Sequence, residues 1–432
     1  MNLIKTIIPI RIYPGKTLLS IAFLLAFTGL TGQYLLIPMD GETQSNHLKA
    51  YGLAYKTLER EVNIEWLLNY RGGSFLIPEY ENLVLECQVR NIHFERVSSG
   101  QAENIRQEIS SPSVNQNIVK LQVAPKIAVY SPKGKLPWDD AVTLVLTYAE
   151  IPYDVVYDRE VLNDLLPKYD WLHLHHEDFT GQYGKFYAAF RNAPWYINQK
   201  KEAEEKAREM GFEKVSEQKL AVAQKIKEFT IGGGFLFAMC SATDSYDISL
   251  AAAGVDICEP MFDGDAAETN YQNKLDYRNT LAFEDFTLVE NPMQYEFSNI
   301  DVTQTRKVKR ENDYFSLFEF SAKWDVKPTI LCQNHTQLVK GFMGQTTAFR
   351  KDLLKPDVLV MGENKSAGEA RYIHGELGRG TWTFYGGHDP EDYQHRVGDP
   401  KTELSLYPNS PGYRLILNNI LFPAAKKEKQ KT

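Results

Sequence analysis

The sequence predicts an α/β fold: a doubly wound, mostly parallel sheet, with a strand-helix-strand region ahead of it and an insertion inside it. Three observations carry this reading. Between residues 127 and 175, short apolar runs alternate with helix-periodic stretches at the spacing of successive crossover units. A helical pattern at 219–229 then passes through Gly232, Gly233 and Gly234 into the apolar run Phe235-Leu236-Phe237-Ala238-Met239, which stops at Cys240 between small residues. A first strand, helix and strand occupy 34–68.

Taken in order, the chain opens on Lys5, Arg11 and Lys16, followed by an apolar run at 18–30 that closes on Thr28-Gly29-Leu30-Thr31-Gly32. A charged, an apolar and a small-residue region in that order read as a signal peptide over 1–33, or as a retained N-terminal anchor. The expectation is an exported protein, periplasmic or held at the inner membrane, touching the membrane through this segment alone. No cysteine follows the run, so a lipoprotein-type anchor is not indicated.

An N-terminal α/β region is expected over 34–125. Its strand at 34–37, its helix at 45–60 with Leu48, Tyr51, Leu53, Tyr55 and Leu58 on one face, and its strand at 63–68 read as a parallel unit. Arg71-Gly72-Gly73 is a turn or an anion cradle, and from 75 to 121 the pattern weakens. The main domain is expected over 126–425. Strands at 127–130, 153–157 and 170–175 alternate with helices at 139–150 and 160–166, and a charged helix at 199–210 precedes the one that feeds Cys240. A helix at 241–253 follows the cysteine, and the polar, aromatic stretch of about 258–327 reads as the insertion. Within it, Asp263-Gly264-Asp265 has too little of a calcium loop around it to stand as one. Strands at 329–332, 358–361, 369–377 and 380–385 follow, the last two as a hairpin about Gly378-Arg379-Gly380. A helix at 412–421 and a basic tail at 426–432 close the chain.

Composition narrows the function classes. With 432 residues, 43% hydrophobic and 24% charged, the chain has room for a large core, and a net charge of −8 gives no reason to expect a nucleic-acid partner. Its 12% aromatic content suits a filled core or an aromatic-lined cleft. Cys87, Cys240, Cys258 and Cys332 make no C-x-x-C pair, so neither a zinc ribbon nor a redox motif is present.

The candidate chemistry starts at Cys240. A strand ending in a nucleophile and turning sharply into a helix needs small residues two positions to either side, here Ala238 and Ala242. The helix N-terminus would lower the thiol pKa, and the Ser241 amide, with Gly181 as a second source, would serve an oxyanion. The other reading of Cys240 is an inert buried thiol at a strand end. His388 follows Gly386-Gly387 at another strand exit, with Asp389 and Glu391 in reach to orient it, and would act as the base. His173-Leu174-His175-His176-Glu177-Asp178 leaves a third strand. His175, His176 and Glu177 are candidate substrate contacts, and His173, His175 and His176 a candidate divalent-metal set; no other cofactor is expected.

The order of elbow cysteine and late strand ending in His beside acids resembles the class I glutamine amidotransferase-like superfamily over 126–423. The resemblance implies a flavodoxin-like sheet and a Cys-His-acid triad, with Cys240 and His388 in the nucleophile and base positions. Pro390 stands where that superfamily carries its acid, so Asp389 or Glu391 would take that part. More narrowly, Leu35-Leu36-Ile37-Pro38-Met39-Asp40, Asn46-His47-Leu48-Lys49-Ala50-Tyr51-Gly52 and Leu67-Leu68-Asn69-Tyr70-Arg71-Gly72-Gly73 look like Bacteroidetes-type exported proteins often labelled asparagine synthetase B. ATP-dependent asparagine synthesis is not expected, because Asn2 stands after the initiator Met and there is no Ser-Gly-Gly-x-Asp-Ser loop or P-loop. The favoured activity is cysteine-dependent hydrolysis or transfer at an amide or acyl carbon on a small-molecule or envelope substrate. A non-catalytic envelope module binding carbohydrate or peptide, and a metal-dependent enzyme using the His173 to Asp178 cluster, are the alternatives.

Overall fold

The computed structural model describes residues 33–132, 140–394, 396 and 399–425. The expected leader, apart from Gln33, and the basic tail at 426–432 lie outside the described residues. Among those described, no helix is long and apolar enough to cross a membrane.

The first sheet has five strands, β1 (Tyr34–Ile37), β2 (Ile64–Leu68), β3 (Ser74–Pro78), β4 (Glu95–Val97) and β5 (Asn117–Leu121), in the order β4-β1-β3-β2-β5. All of its pairings are antiparallel. The expected parallel unit is therefore split: β1 and β2 run the same way on either side of β3, which the patternless stretch after 75 concealed. The cause is the short turn between β2 and β3, where Asn69, Arg71, Gly72 and Gly73 all take positive φ. A link this short can only join antiparallel neighbours.

The second sheet contains β6 (Ile127–Tyr130), β7 (Asp154–Val156), β8 (Trp171–Leu174), β9 (Phe235–Met239), β10 (Tyr314–Leu317), β11 (Leu338–Lys340), β12 (Phe349–Arg350), β13 (Leu359–Asn364), β14 (Glu369–Leu377) and β15 (Gly380–Tyr385). Their order is β11-β10-β13-β14-β15-β9-β8-β6-β7, with β12 beside β14. Pairings from β15 through β9, β8 and β6 to β7 are parallel. Those from β15 back to β11 are antiparallel, so the sheet is mixed rather than mostly parallel. The crossover helices stop after β9, and the expected β14–β15 hairpin closes with Leu377 paired to Gly380. The strand expected at 329–332 belongs instead to the helix Val326–Leu331. A short Thr-Ile-Leu run is ambiguous by periodicity, and Pro328 fits a helix's first turn.

Both faces of the parallel half are covered. Ile127, Val129, Phe237 and Met239 point into one core with the helices His47–Glu59, Ala141–Ala149 and Pro411–Leu421. Ala128, Tyr130, Leu236 and Ala238 point into another with Val215–Gly232 and Ala242–Ala251. This alternation is the strand period of two, and burial on both sides makes these strands continuously apolar.

The first sheet's helix His47–Glu59 meets Ala141–Ala149 at Gly52, where an added methyl would overlap the Ala149 carbonyl oxygen. Gly52→Ala should lower unfolding stability by about 1–3 kcal/mol through overpacking. The check is the urea midpoint; an unchanged midpoint would mean the two helices are free to part.

Candidate functional site

The parallel half places its side chains by one rule: ligands gather where strands end at their carboxyl side. His175 follows β8 directly, Cys240 follows β9 directly, and His388 lies just beyond β15. Asp140, after β6, caps the helix Ala141–Ala149 by accepting a hydrogen bond from the Thr143 amide at 2.7 Å. Because β15, β9, β8 and β6 are successive neighbours, all four residues reach one end of the sheet.

Cys240 has φ +52°, the left-handed conformation, between β9 and the helix Ala242–Ala251. An L-residue there costs roughly 1–2 kcal/mol, a strain that recurs at functional turns. The elbow is tied on both sides: the Cys240 amide donates to the Gly387 carbonyl at 3.2 Å, and the Ala242 amide donates to the His175 carbonyl at 2.9 Å. Ala238 and Ala242 are fully buried, so the small residues expected around the nucleophile fill tight positions. Ser241 is the N-cap residue, whose N–H is among those a helix leaves without an internal acceptor.

Three imidazoles converge on the sulfur. His175 and His176 stack at 4.0 Å between centroids, and His388 lies 4.7 and 4.6 Å from them. One ligand atom from each of His175, His176, Cys240 and His388 falls within 4.8 Å of all the others. Nε2 of His175 is 3.2 Å from Nδ1 of His388. Burial opposes a thiolate at Cys240, but hydrogen bonds from the three imidazoles and the charge of His388 outweigh it and hold the thiol well below its usual range.

Behind these rings sits a residue the sequence reading did not single out. Oδ2 of Asp140 is 3.1 Å from Nε2 of His173 and 3.0 Å from Nδ1 of His175, the second contact at an ion-pair distance but off the hydrogen-bonding angle. Burial would raise the Asp140 carboxyl, yet the two histidines hold it well below the carboxylate range. In return, Asp140 overcomes the burial of His175 and raises it. His173, which also bonds the Phe237 carbonyl at 3.3 Å, is lowered by burial, and His176 falls to about 4 for the same reason. Asp140 had one sequence signal, an Asp at the start of an apolar helix, and capping accounts for that signal equally well.

The acids expected to orient His388 are engaged elsewhere. Asp389 accepts from Thr402 Oγ1 at 2.7 Å and from the Glu391 amide at 2.9 Å, while burial raises Glu391. They shape the loop after His388. Glu177 is turned to Tyr157, whose hydroxyl donates to it at 3.1 Å, and to Lys219 at 3.9 Å; burial pushes its carboxyl up to about 7. Gly181, with φ +85°, packs against Ser216.

The loop holding His388 is backed by a second pair of acids. The His388 amide donates to Met343 O at 2.9 Å and the Gly387 amide to Thr346 O at 2.8 Å. Gly387, at φ +101°, has no room for a side chain against Phe342. Thr346 Oγ1 donates at 2.9 Å to Asp244, on the first turn of the elbow helix. Burial, aided by the negative Cys240, pushes Asp244 up to about 7; burial and then Asp244 raise Asp301 well above its usual range. Outside the site, Tyr295, Phe186 and the half-exposed Trp195 form an aromatic run, with ring centroids 5.6 and 5.9 Å apart.

No protein-family profile and no curated protein matches the chain. Among solved structures, it is similar to the cytoplasmic protein STM3548 from Salmonella typhimurium, at 12% identity and TM-score 0.34, over 70% of this chain and 100% of that one. It is similar to the cytoplasmic protein STM1381 from Salmonella typhimurium LT2 at 12% identity and TM-score 0.32, over the same shares. A beta-galactosidase from Bacillus circulans sp. alkalophilus is similar at 10% identity and TM-score 0.25, over 61% of this chain and 29% of that one.

The raised Asp244 sets a sign. Folding holds its proton up to about pH 7, against an ordinary value of 3.8, so its contribution is fully present below 3.8 and is lost as pH rises through 7. Asp244→Asn should therefore gain melting temperature relative to the parent between about pH 4 and pH 8. A difference that stays flat with pH would mean Asp244 is ionised throughout.

Proposed function

We propose that this chain is an exported, amidotransferase-like protein in which Cys240 acts as a nucleophile on an amide or related acyl carbon. The observation that carries the reading is the elbow itself: a cysteine held at positive φ at a strand end, with one nitrogen from each of three imidazoles gathered within 4.8 Å of its sulfur. A single buried structural thiol has no need of that arrangement. The resemblance of residues 126–423 to class I glutamine amidotransferases supports the same chemistry.

The proton path follows from the contacts. Asp140 favours the protonated form of His175; in that form Nε2–H of His175 donates to Nδ1 of His388, which leaves the Nε2–H of His388 as the proton available to the reaction. The thiolate attacks the carbonyl carbon, an S–C bond forms, and the Ser241 amide receives the oxyanion. His388 gives its Nε2 proton to the leaving nitrogen as the C–N bond breaks, and takes the His175 proton at Nδ1. Water then attacks the thioester, its proton passing to Nε2 of His388 while Nδ1 returns one to His175. The S–C bond breaks and the thiolate is restored. The acid of this relay is Asp140, one imidazole removed from His388, in place of Asp389 or Glu391. The aromatic run of Tyr295, Phe186 and Trp195 is the proposed border of the substrate cleft.

The test is the alkylation rate of Cys240 at neutral pH in metal-free protein, with the labelled site read by peptide mass spectrometry. Labelling should be fast in the parent and fall in His388→Ala, and turnover of an amide panel should drop by about 10²–10⁴ in that variant. Slow labelling in both proteins would make Cys240 a buried structural thiol and end this reading.

A further inference from the structure

The nucleophile reading uses one imidazole as proton carrier and a second to orient it, yet three reach the sulfur. We infer that Cys240, His175, His176 and His388 also form a closed binding site for a borderline divalent metal such as zinc, which silences the thiolate when bound. The inference rests on the proposed nucleophile for its regulatory meaning, and on the donor geometry for the site itself.

The geometry suits four-coordination. Imidazole nitrogens roughly 2.0–2.1 Å from a tetrahedral zinc stand about 3.3 Å apart, and a thiolate at about 2.3 Å stands about 3.5 Å from each. Here Nε2 of His175 and Nδ1 of His388 are already 3.2 Å apart, and all four donors lie within 4.8 Å of one another. Closing the set needs movements near 1 Å. Three nitrogens and one sulfur are donors of intermediate softness, which favour zinc over magnesium or calcium.

The surroundings match as well. A histidine that binds metal through one nitrogen usually has a carboxylate at the other, and Asp140 stands 3.0 Å from Nδ1 of His175. His173, expected from the sequence to be a ligand, has both ring nitrogens committed, to Asp140 and to the Phe237 carbonyl. It supports Asp140 from behind, and Cys240 and His388 complete the set in its place. Four protein donors leave no position for water, so the metal would lock the site rather than activate a nucleophile. Binding forms Zn–S and Zn–N bonds and releases to solvent any proton on the thiol or on the ligating nitrogens; nothing is oxidised or reduced.

The experiment uses the full chain, stripped of metal and titrated with zinc, and separately with cobalt(II) as an optical probe. One zinc per chain, a cobalt spectrum with thiolate charge-transfer and tetrahedral ligand-field bands, and slowed alkylation of Cys240 that a chelator restores are expected. Asp140→Asn, which keeps a good helix cap, should weaken zinc binding about 10–100-fold. His176→Gln, at a half-buried position, should abolish the tetrahedral cobalt bands while the melting curve shows a folded protein. Absence of stoichiometric zinc binding in the parent overturns the inference, and so does bound zinc that leaves an otherwise fast Cys240 alkylation unchanged. Fast alkylation of the metal-free protein alongside either result leaves the nucleophile reading standing. Zinc binding with a thiol that is slow even without metal supports the metal site and removes the nucleophile.

Discussion

A carboxylate buried without compensation is among the most costly groups a protein can hold, and the site is built around one that has been paired. Asp140 is almost wholly excluded from water, yet it caps a helix and meets two histidines. Its charge raises the pKa of His175 against the opposing effect of burial. Nε2 of His175 in turn meets Nδ1 of His388 at 3.2 Å, and the imidazoles together hold the Cys240 thiol well below its usual range. Remove the carboxylate and burial would push His175 down as it does His173 and His176.

The pairing works only because the backbone is equally constrained. The elbow amides bond the loops carrying His175 and His388, so the three strand ends are laced together through main-chain hydrogen bonds. The His388 loop is further held by Thr346, which links Asp244 on the elbow helix to Gly387. These contacts hold one donor atom from each of the three imidazoles and from Cys240 within 4.8 Å of one another. Under the two proposals, the compactness that favours a thiolate over a thiol also favours a borderline cation, and proton transfer and metal binding would compete for one set of lone pairs.

Much of the architecture was legible in the sequence. Periodicity and glycine punctuation located β6 to β9, the elbow, the β14–β15 hairpin and the helices around them. The first sheet was read less well, because β3, β4 and β5 are short and their apolar residues do not alternate over enough positions to stand out. The antiparallel half of the second sheet was hidden for a related reason: local pattern identifies a strand but does not state which strand it pairs with. Val326–Leu331 shows the same limit, since a short buried helix and a short buried strand look alike in composition.

At the site, local chemistry by itself determined that Cys240 lies in a strained strand-to-helix turn and that His175, His176 and His388 lie at strand exits. Those are properties of short segments: small residues beside a cysteine, glycines before a histidine, an apolar run ending in polar side chains. Which of them meet was decided by strand order alone. Setting β15, β9, β8 and β6 side by side brings together residues separated by up to 248 positions, Asp140 and His388 being the extremes. It also set Asp140, rather than the sequence-adjacent Asp389 and Glu391, against the imidazoles, because proximity along the chain does not determine where a carboxylate points. Asp140 had every local reason to be a helix cap, and only the neighbouring strand made it the charge at the centre of the site.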